Sequence, residues 1–103
     1  MPVTLDPAAL ADAAARLPGW AVAADALRRR YAFPDFARAI GFLAAAATRA
    51  ERMNHHPEWT NVYNRVDVTL RTHDAGGVTA LDVELAEHLD ALHAPFADPG
   101  SRG

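Results

Sequence analysis

The chain is 103 residues long, enough for one domain with a modest core and too short for two. Its composition, 50% apolar and 22% charged with a formal net charge of −3, is that of an ordinary globular domain; it argues against disorder and gives no electrostatic case for nucleic acid as a main partner. There is no cysteine, which excludes a disulfide framework and a thiolate zinc site. The longest apolar stretch, Ala39 to Thr48, is too short to span a bilayer, and no basic-then-apolar leader precedes it. A cytoplasmic chain with no membrane partner is the expectation.

Leu5-Asp6-Pro7 opens the first predicted helix, with Asp6 suited to the N-cap, Pro7 to the first helical position and Leu5 to a staple onto Leu10. Leu10, Ala14 and Leu17 fall on one face, and Pro18-Gly19 ends the helix. Trp20, Val22 and Ala24 alternate, as do Leu27, Arg29, Tyr31 and Phe33 after a turn at Asp25, which predicts a hairpin. Pro34-Asp35 starts the longest helix, whose expected apolar stripe is Phe36, Ile40, Leu43, Ala47 and Ala50, running to about Asn54.

Pro57 marks the break into the third strand, because a residue before proline is pushed out of helical geometry. Trp59 to Tyr63 and Val66 to Arg71 read as strands joined near Asn64-Arg65, and His73 to Gly77 as a loop. Thr79 suits the cap of the third helix, with Asp82 at the capping-box position and Val78 placed to staple onto Val83. Leu81, Leu85, Leu89 and Leu92 form its expected apolar face. A single domain over residues 1–94 and a frayed tail over 95–103 are expected, since proline and glycine gather from Pro95 onward. The order α-β-β-α-β-β-α, with short connections, predicts an α+β fold: a four-stranded antiparallel sheet with three helices packed on one face.

The chemistry concentrates in His55, His56, Pro57, Glu58 and Trp59 and in His73 at the end of the fourth strand. Imidazole titrates near pH 6.5, so it can give or take a proton at neutral pH. Glu51 lies one turn before His55, within reach of that ring if the helix persists. His73 is expected on the polar face of its strand with Thr69 and Arg71. A solvated histidine pair near a helix C-terminus is the plain alternative. A three-histidine zinc site is another, but helix-borne ligand pairs favour i, i+4 spacing, and adjacent histidines in extended backbone diverge; no metal is expected. Trp20 reads as core and Trp59 as a pocket margin, where an aromatic plane suits a flat ligand. Arg28, Arg29 and Arg30 are split across two faces by alternation, and His88 and His93 read as solvated.

The run Glu51-Arg52-Met53-Asn54-His55-His56-Pro57-Glu58-Trp59-Thr60-Asn61-Val62-Tyr63-Asn64-Arg65-Val66, continued by Val68, Leu70, Thr72 and His73 and into the last helix, resembles the signature of the pterin-4a-carbinolamine dehydratases. The likeness covers the chain from about Trp20 to Leu92. It implies dehydration of 4a-hydroxytetrahydropterin to quinonoid dihydropterin in tetrahydrobiopterin recycling, downstream of a pterin-dependent aromatic amino acid hydroxylase, without a cofactor. On that resemblance His55 and His73 form the acid/base pair, His56 binds and orients the pterin with Pro57 and Trp59, and Glu51 and Asp82 support the site. Thr60, where the family often has an aromatic, and Asp67 leave substrate preference open. The resemblance also implies a homodimer or homotetramer and offers a second reading, since some members serve as dimerisation cofactors of a transcription factor.

Overall fold

The computed structural model describes residues 2–97. Its elements are α1 (Pro7–Arg16), β1 (Ala21–Val22), β2 (Leu27–Ala32), α2 (Phe36–Met53), β3 (Glu58–Val62), β4 (Arg65–Leu70), a 3₁₀ turn (His73–Ala75) and α3 (Ala80–Ala97). The four strands form one antiparallel sheet in the order β1-β2-β4-β3, so β1 and β3 are its edges. The three helices pack on one face, giving the expected α+β architecture.

Each helix begins where its local chemistry places it. Asp6 and Asp35 accept the N–H of the residue three further on, both at 2.8 Å, and satisfy donors that the first turn leaves open. Between helices and sheet lie Leu27, Tyr31, Phe42, Val66, Val68, Leu70, Leu85 and Leu89, all essentially inaccessible. Arg28 and Arg30 point away from the helices and are exposed, while Arg29 is half-buried and meets Asp90 at 2.8 Å, as alternation requires. Asp90 also accepts from Trp20 Nε1 at 3.0 Å and Tyr31 Oη at 2.5 Å, tying α3 to the sheet. Burial and this carboxylate push the Tyr31 phenol far above its usual range.

The helical faces differ from the expected ones. In α2 the buried residues are Ala39, Phe42, Ala46 and Ala50, whereas Phe36, Ile40 and Ala47 are exposed and Leu43 is half-buried against the core. In α1 Ala13, not Ala14, joins Leu17 in the core. In α3 the buried face is Asp82, Val83, Leu85, Ala86 and Leu89, with Leu81 and Leu92 only half-buried. His93 is not solvated: its ring lies 4.7 Å from Tyr31 and 5.2 Å from Phe33, centroid to centroid. The third helix also passes the expected boundary at residue 94. Pro95 sits in its last turn, and Phe96 packs so closely on α2 that a Cβ at Gly41 would come within 2.7 Å of its ring. Burial of Phe96 holds a turn that proline alone would end. The remainder of the expected tail, residues 98–103, lies outside the described residues.

Strand boundaries shift by one or two residues. The first hairpin keeps only Ala21–Val22 in its first strand, with Trp20 buried ahead of it. The β3–β4 turn centres on Tyr63-Asn64 rather than Asn64-Arg65, with Tyr63 at φ 53°. The side chain of Asn61 donates to the carbonyls of Tyr63 and Arg65, and that of Asn64 to Phe33, pinning this turn.

Candidate active site

The site forms where α2 ends, β4 ends and α3 begins. Asn54 adopts the left-handed conformation (φ 52°, ψ 42°) just past α2, a role its short polar side chain tolerates. Its N–H bonds to Glu51 O at 3.1 Å and the N–H of His55 bonds to Ala50 O at 3.1 Å, the paired bonds of a Schellman ending. This reversal folds His55 inward, 9% exposed, and leaves His56 outside. Adjacent rings diverge, as extended backbone requires.

The expected partnership of Glu51 with His55 is not formed. Glu51 Oε1 lies 2.8 Å from His56 Nε2 instead, because the left-handed Asn54 turns the chain before His55 can lie over the preceding turn. The partner of His55 is Asp82 on α3, with Oδ1 2.6 Å from Nε2. Asp82 is wholly buried. Its Oδ2 accepts from Thr79 N at 2.9 Å, the capping-box contact, and from Thr72 Oγ1 at 2.8 Å. Thr72 and Thr79 hydroxyls lie 2.7 Å apart, and Leu81 N donates to Thr79 Oγ1 at 3.3 Å. The Thr72 proton is committed to Asp82, so Thr79 donates to Thr72. A carboxylate can only accept, hence His55 Nε2 carries the proton and Nδ1 is free.

His73 does not sit on the fourth strand, which stops at Leu70; it opens the 3₁₀ turn that follows. A bridge between Thr72 and Gly77 closes this loop, and Gly76 (φ 77°) supplies the left-handed residue that ends the turn. His73 is largely exposed, and its Nε2 lies 3.1 Å from Glu58 Oε2 on β3. Arg71 Nη2 donates to the other oxygen of Glu58 at 2.9 Å. The Arg71 hydrogen bond and positive charge, with a smaller contribution from His73, hold the Glu58 carboxyl below its usual range despite some desolvation.

His55, His56 and His73 line one open pocket of about 200 Å³ together with Asn54, Arg71, Thr72 and Asp74. Pro57 and Trp59 are not among its lining. Trp59 packs half-buried against the core and borders a separate hollow on the sheet with Glu58 and Thr60. Each of the three rings therefore has its Nε2 against a carboxylate, from Asp82, Glu51 and Glu58 in turn. Among the described residues no three His, Asp or Glu side chains converge to hold a metal ion, and no helix is long and apolar enough to cross a membrane. Sequence reasoning missed Glu58, Arg71 and Thr72. The signal for the first two lay in strand register: Glu58 pairs with Thr69, which puts Arg71 on the same face as a diagonal neighbour.

Fold and site together define a small α+β domain whose helix-to-strand junction presents three carboxylate-held imidazoles around one pocket. Residues 3–92 match the family model described as pterin 4 alpha carbinolamine dehydratase, and the chain belongs to that family. It is 54% identical over 87 residues to a Burkholderia orbicola protein named "Putative pterin-4-alpha-carbinolamine dehydratase", covering 82% of this chain and 84% of that one. A Rhizobium rhizogenes protein of the same name is 51% identical over 96 residues, or 91% and 95% of the two chains. Among solved structures, a transcriptional coactivator/pterin dehydratase from Brucella melitensis is 45% identical and superposes with a TM-score of 0.83, over 86% of this chain and 97% of that one. A pterin dehydratase-like protein identified as a RuBisCO assembly factor in the alpha-carboxysome is 27% identical, with a TM-score of 0.60 over 72% and 86% of the two chains.

Proposed function

We propose that this chain is a cytoplasmic enzyme that dehydrates 4a-hydroxytetrahydropterin to quinonoid dihydropterin and water, in the recycling of the tetrahydrobiopterin used by an aromatic amino acid hydroxylase. The observation that carries the reading is the gathering of His55, His56 and His73 around one pocket, each ring with its own carboxylate. In the reaction the C4a–O bond breaks as the hydroxyl takes a proton and leaves as water. N5 loses its proton, and the C4a–N5 double bond forms. One proton is given and one is taken, which two imidazoles can do without redox change.

His55 and His73 are the acid/base pair in this reading, and His56 binds the pterin. Asp82 fixes His55, and Glu51 serves His56 rather than His55. Pro57 and Trp59 lie outside the histidine pocket, so any pterin contact from them falls at its approach. The direct test is stopped-flow mixing with freshly prepared 4a-hydroxytetrahydropterin; dehydration no faster than the uncatalysed rate would reject the assignment. The second reading, a binding or assembly protein, is favoured by the coactivator and assembly-factor descriptions of the two structural relatives. Retention of all three histidines in one pocket favours the enzyme.

Turnover should be indifferent to chelators, because Nε2 of each of the three histidines lies against a carboxylate and, among the described residues, no three ligands converge. Activity lost on dialysis against a strong chelator and restored by zinc would replace acid–base catalysis with metal chemistry. The chain should also associate into a dimer or tetramer. The β3 edge is open, Val62 and Tyr63 are exposed beside it, and Phe36 and Ile40 are exposed on α2. Sedimentation equilibrium at micromolar concentration returning the monomer mass would contradict this.

A further inference from the structure

We infer that Glu58 is a positioning residue for His73, and that Arg71 is the anchor that holds Glu58 in that role. The inference rests on the proposed acid/base function of His73 and deepens it. His55 and His56 have short contacts with carboxylates at 2.6 and 2.8 Å, whereas His73 begins a turn outside the sheet and has no buried neighbour to orient it. Its side chain is 71% exposed, so nothing in its own segment fixes the ring. Glu58, reaching across from β3, is the one carboxylate among the described residues that forms an ion-pair contact with it. The other titratable and charged groups around it are Arg71 and Asp74 in its own segment and His55 and His56 across the pocket.

A glutamate 46% exposed would ordinarily spend its time in solvent, because an exposed ion pair must overcome side-chain entropy. Here the carboxylate is held from its other side. Arg71 Nη2 engages Oε1, which leaves Oε2 turned to His73 Nε2. Arg71 Nε is buried with no partner, so the guanidinium is committed to Glu58 at the cost of one of its own donors. The carboxylate beside Nε2 favours the proton on that nitrogen, which leaves Nδ1 as the nitrogen free for the substrate, the same choice that Asp82 makes for His55. Glu58 touches no reacting atom in this arrangement and acts through the ring it orients.

The test uses the full chain in five variants and two readouts. Glu58→Met removes the acceptor with little change of volume. Its turnover should fall about two- to five-fold, the scale of an exposed carboxylate–imidazole pair, with KM little changed. Arg71→Met should reproduce that loss, and Arg71→Lys, which keeps a cation beside the carboxylate, should largely avoid it. In a His73→Ala background Glu58→Met should cost nothing further; an undiminished additional loss would show that Glu58 acts elsewhere and overturn the inference. The second readout does not depend on turnover. Side-chain NMR relaxation should show an ordered His73 ring in the wild type and Arg71→Lys, and a mobile one in Glu58→Met. An Nδ1–H tautomer at His73 in the wild type, or a ring equally mobile in wild type and Glu58→Met, would also reject it. If His73→Ala retained full activity, the acid/base assignment would fail while the relaxation readout still decided whether Glu58 orients the ring.

Discussion

Replacing His55 or His73 by alanine should lower turnover by about 10²-fold or more in each case, the contribution of a positioned general acid or base. The two rings enter the pocket from different elements: His55 from the reversed end of α2 and His73 from the turn after β4. Neither can stand in for the other, because His55 is fixed by a buried partner and His73 is displayed to solvent. His56→Ala should behave differently. Its ring is exposed and paired with the exposed Glu51, so loss of pterin binding should raise KM with kcat largely kept, as expected when ground and transition state lose the same contact. Steady-state kinetics on folded variants checks all three. Near wild-type turnover in either His55→Ala or His73→Ala would remove that ring from proton transfer.

Much of this site was legible because its residues are close in sequence, and what was not legible depended on tertiary register. The histidine run, the proline break and the Thr79/Asp82 cap follow from local chemistry, and the structure places the elements accordingly. The face of α2 did not follow. Its alanine-rich sequence offers apolar residues at nearly every position from Ala39 to Ala47, so the stripe through Phe36 and Ile40 and the stripe through Ala39 and Phe42 are nearly equivalent as patterns. Only the sheet decides that Phe42 is the buried aromatic. Glu51 was assigned to His55 by helical spacing, which assumes the helix continues; the left-handed Asn54 ends it and delivers His56 instead. Asp82 was recognised as a cap, but no sequence spacing shows that its second oxygen meets a histidine 27 residues away. Glu58 lies inside the motif, but its two partners, Arg71 and His73, stand just past the end of the neighbouring strand and in the turn beyond, where no local spacing connects them to it.

Asp82→Ala should be the most destabilising single change at the site, and Asp82→Asn should separate stability from catalysis. The alanine variant leaves His55 Nε2, Thr72 Oγ1 and Thr79 N, all on buried residues, without their acceptor. Each buried donor left without its acceptor costs about 1–3 kcal/mol, so the three together cost about 3 kcal/mol or more. In a domain of this size that corresponds to a drop in Tm of more than about 10 °C, by calorimetry or thermal circular dichroism. Asparagine is nearly the same shape, and its amide oxygen can take the place of Oδ2, accepting from Thr72 and Thr79 as before. Its amide nitrogen then faces His55, and an NH₂ group can only donate there. His55 Nε2 must become the acceptor, which moves the ring proton to Nδ1, the nitrogen that the carboxylate had left free for the pocket. Asp82→Asn should therefore keep most of the stability that alanine loses, while turnover falls by about 10²-fold or more, because a correctly placed imidazole in the wrong tautomer cannot make the same proton transfer. If Asp82→Asn were instead as active as the wild type, Asp82 would be a helix cap alone and His55 would have no need of a fixed tautomer.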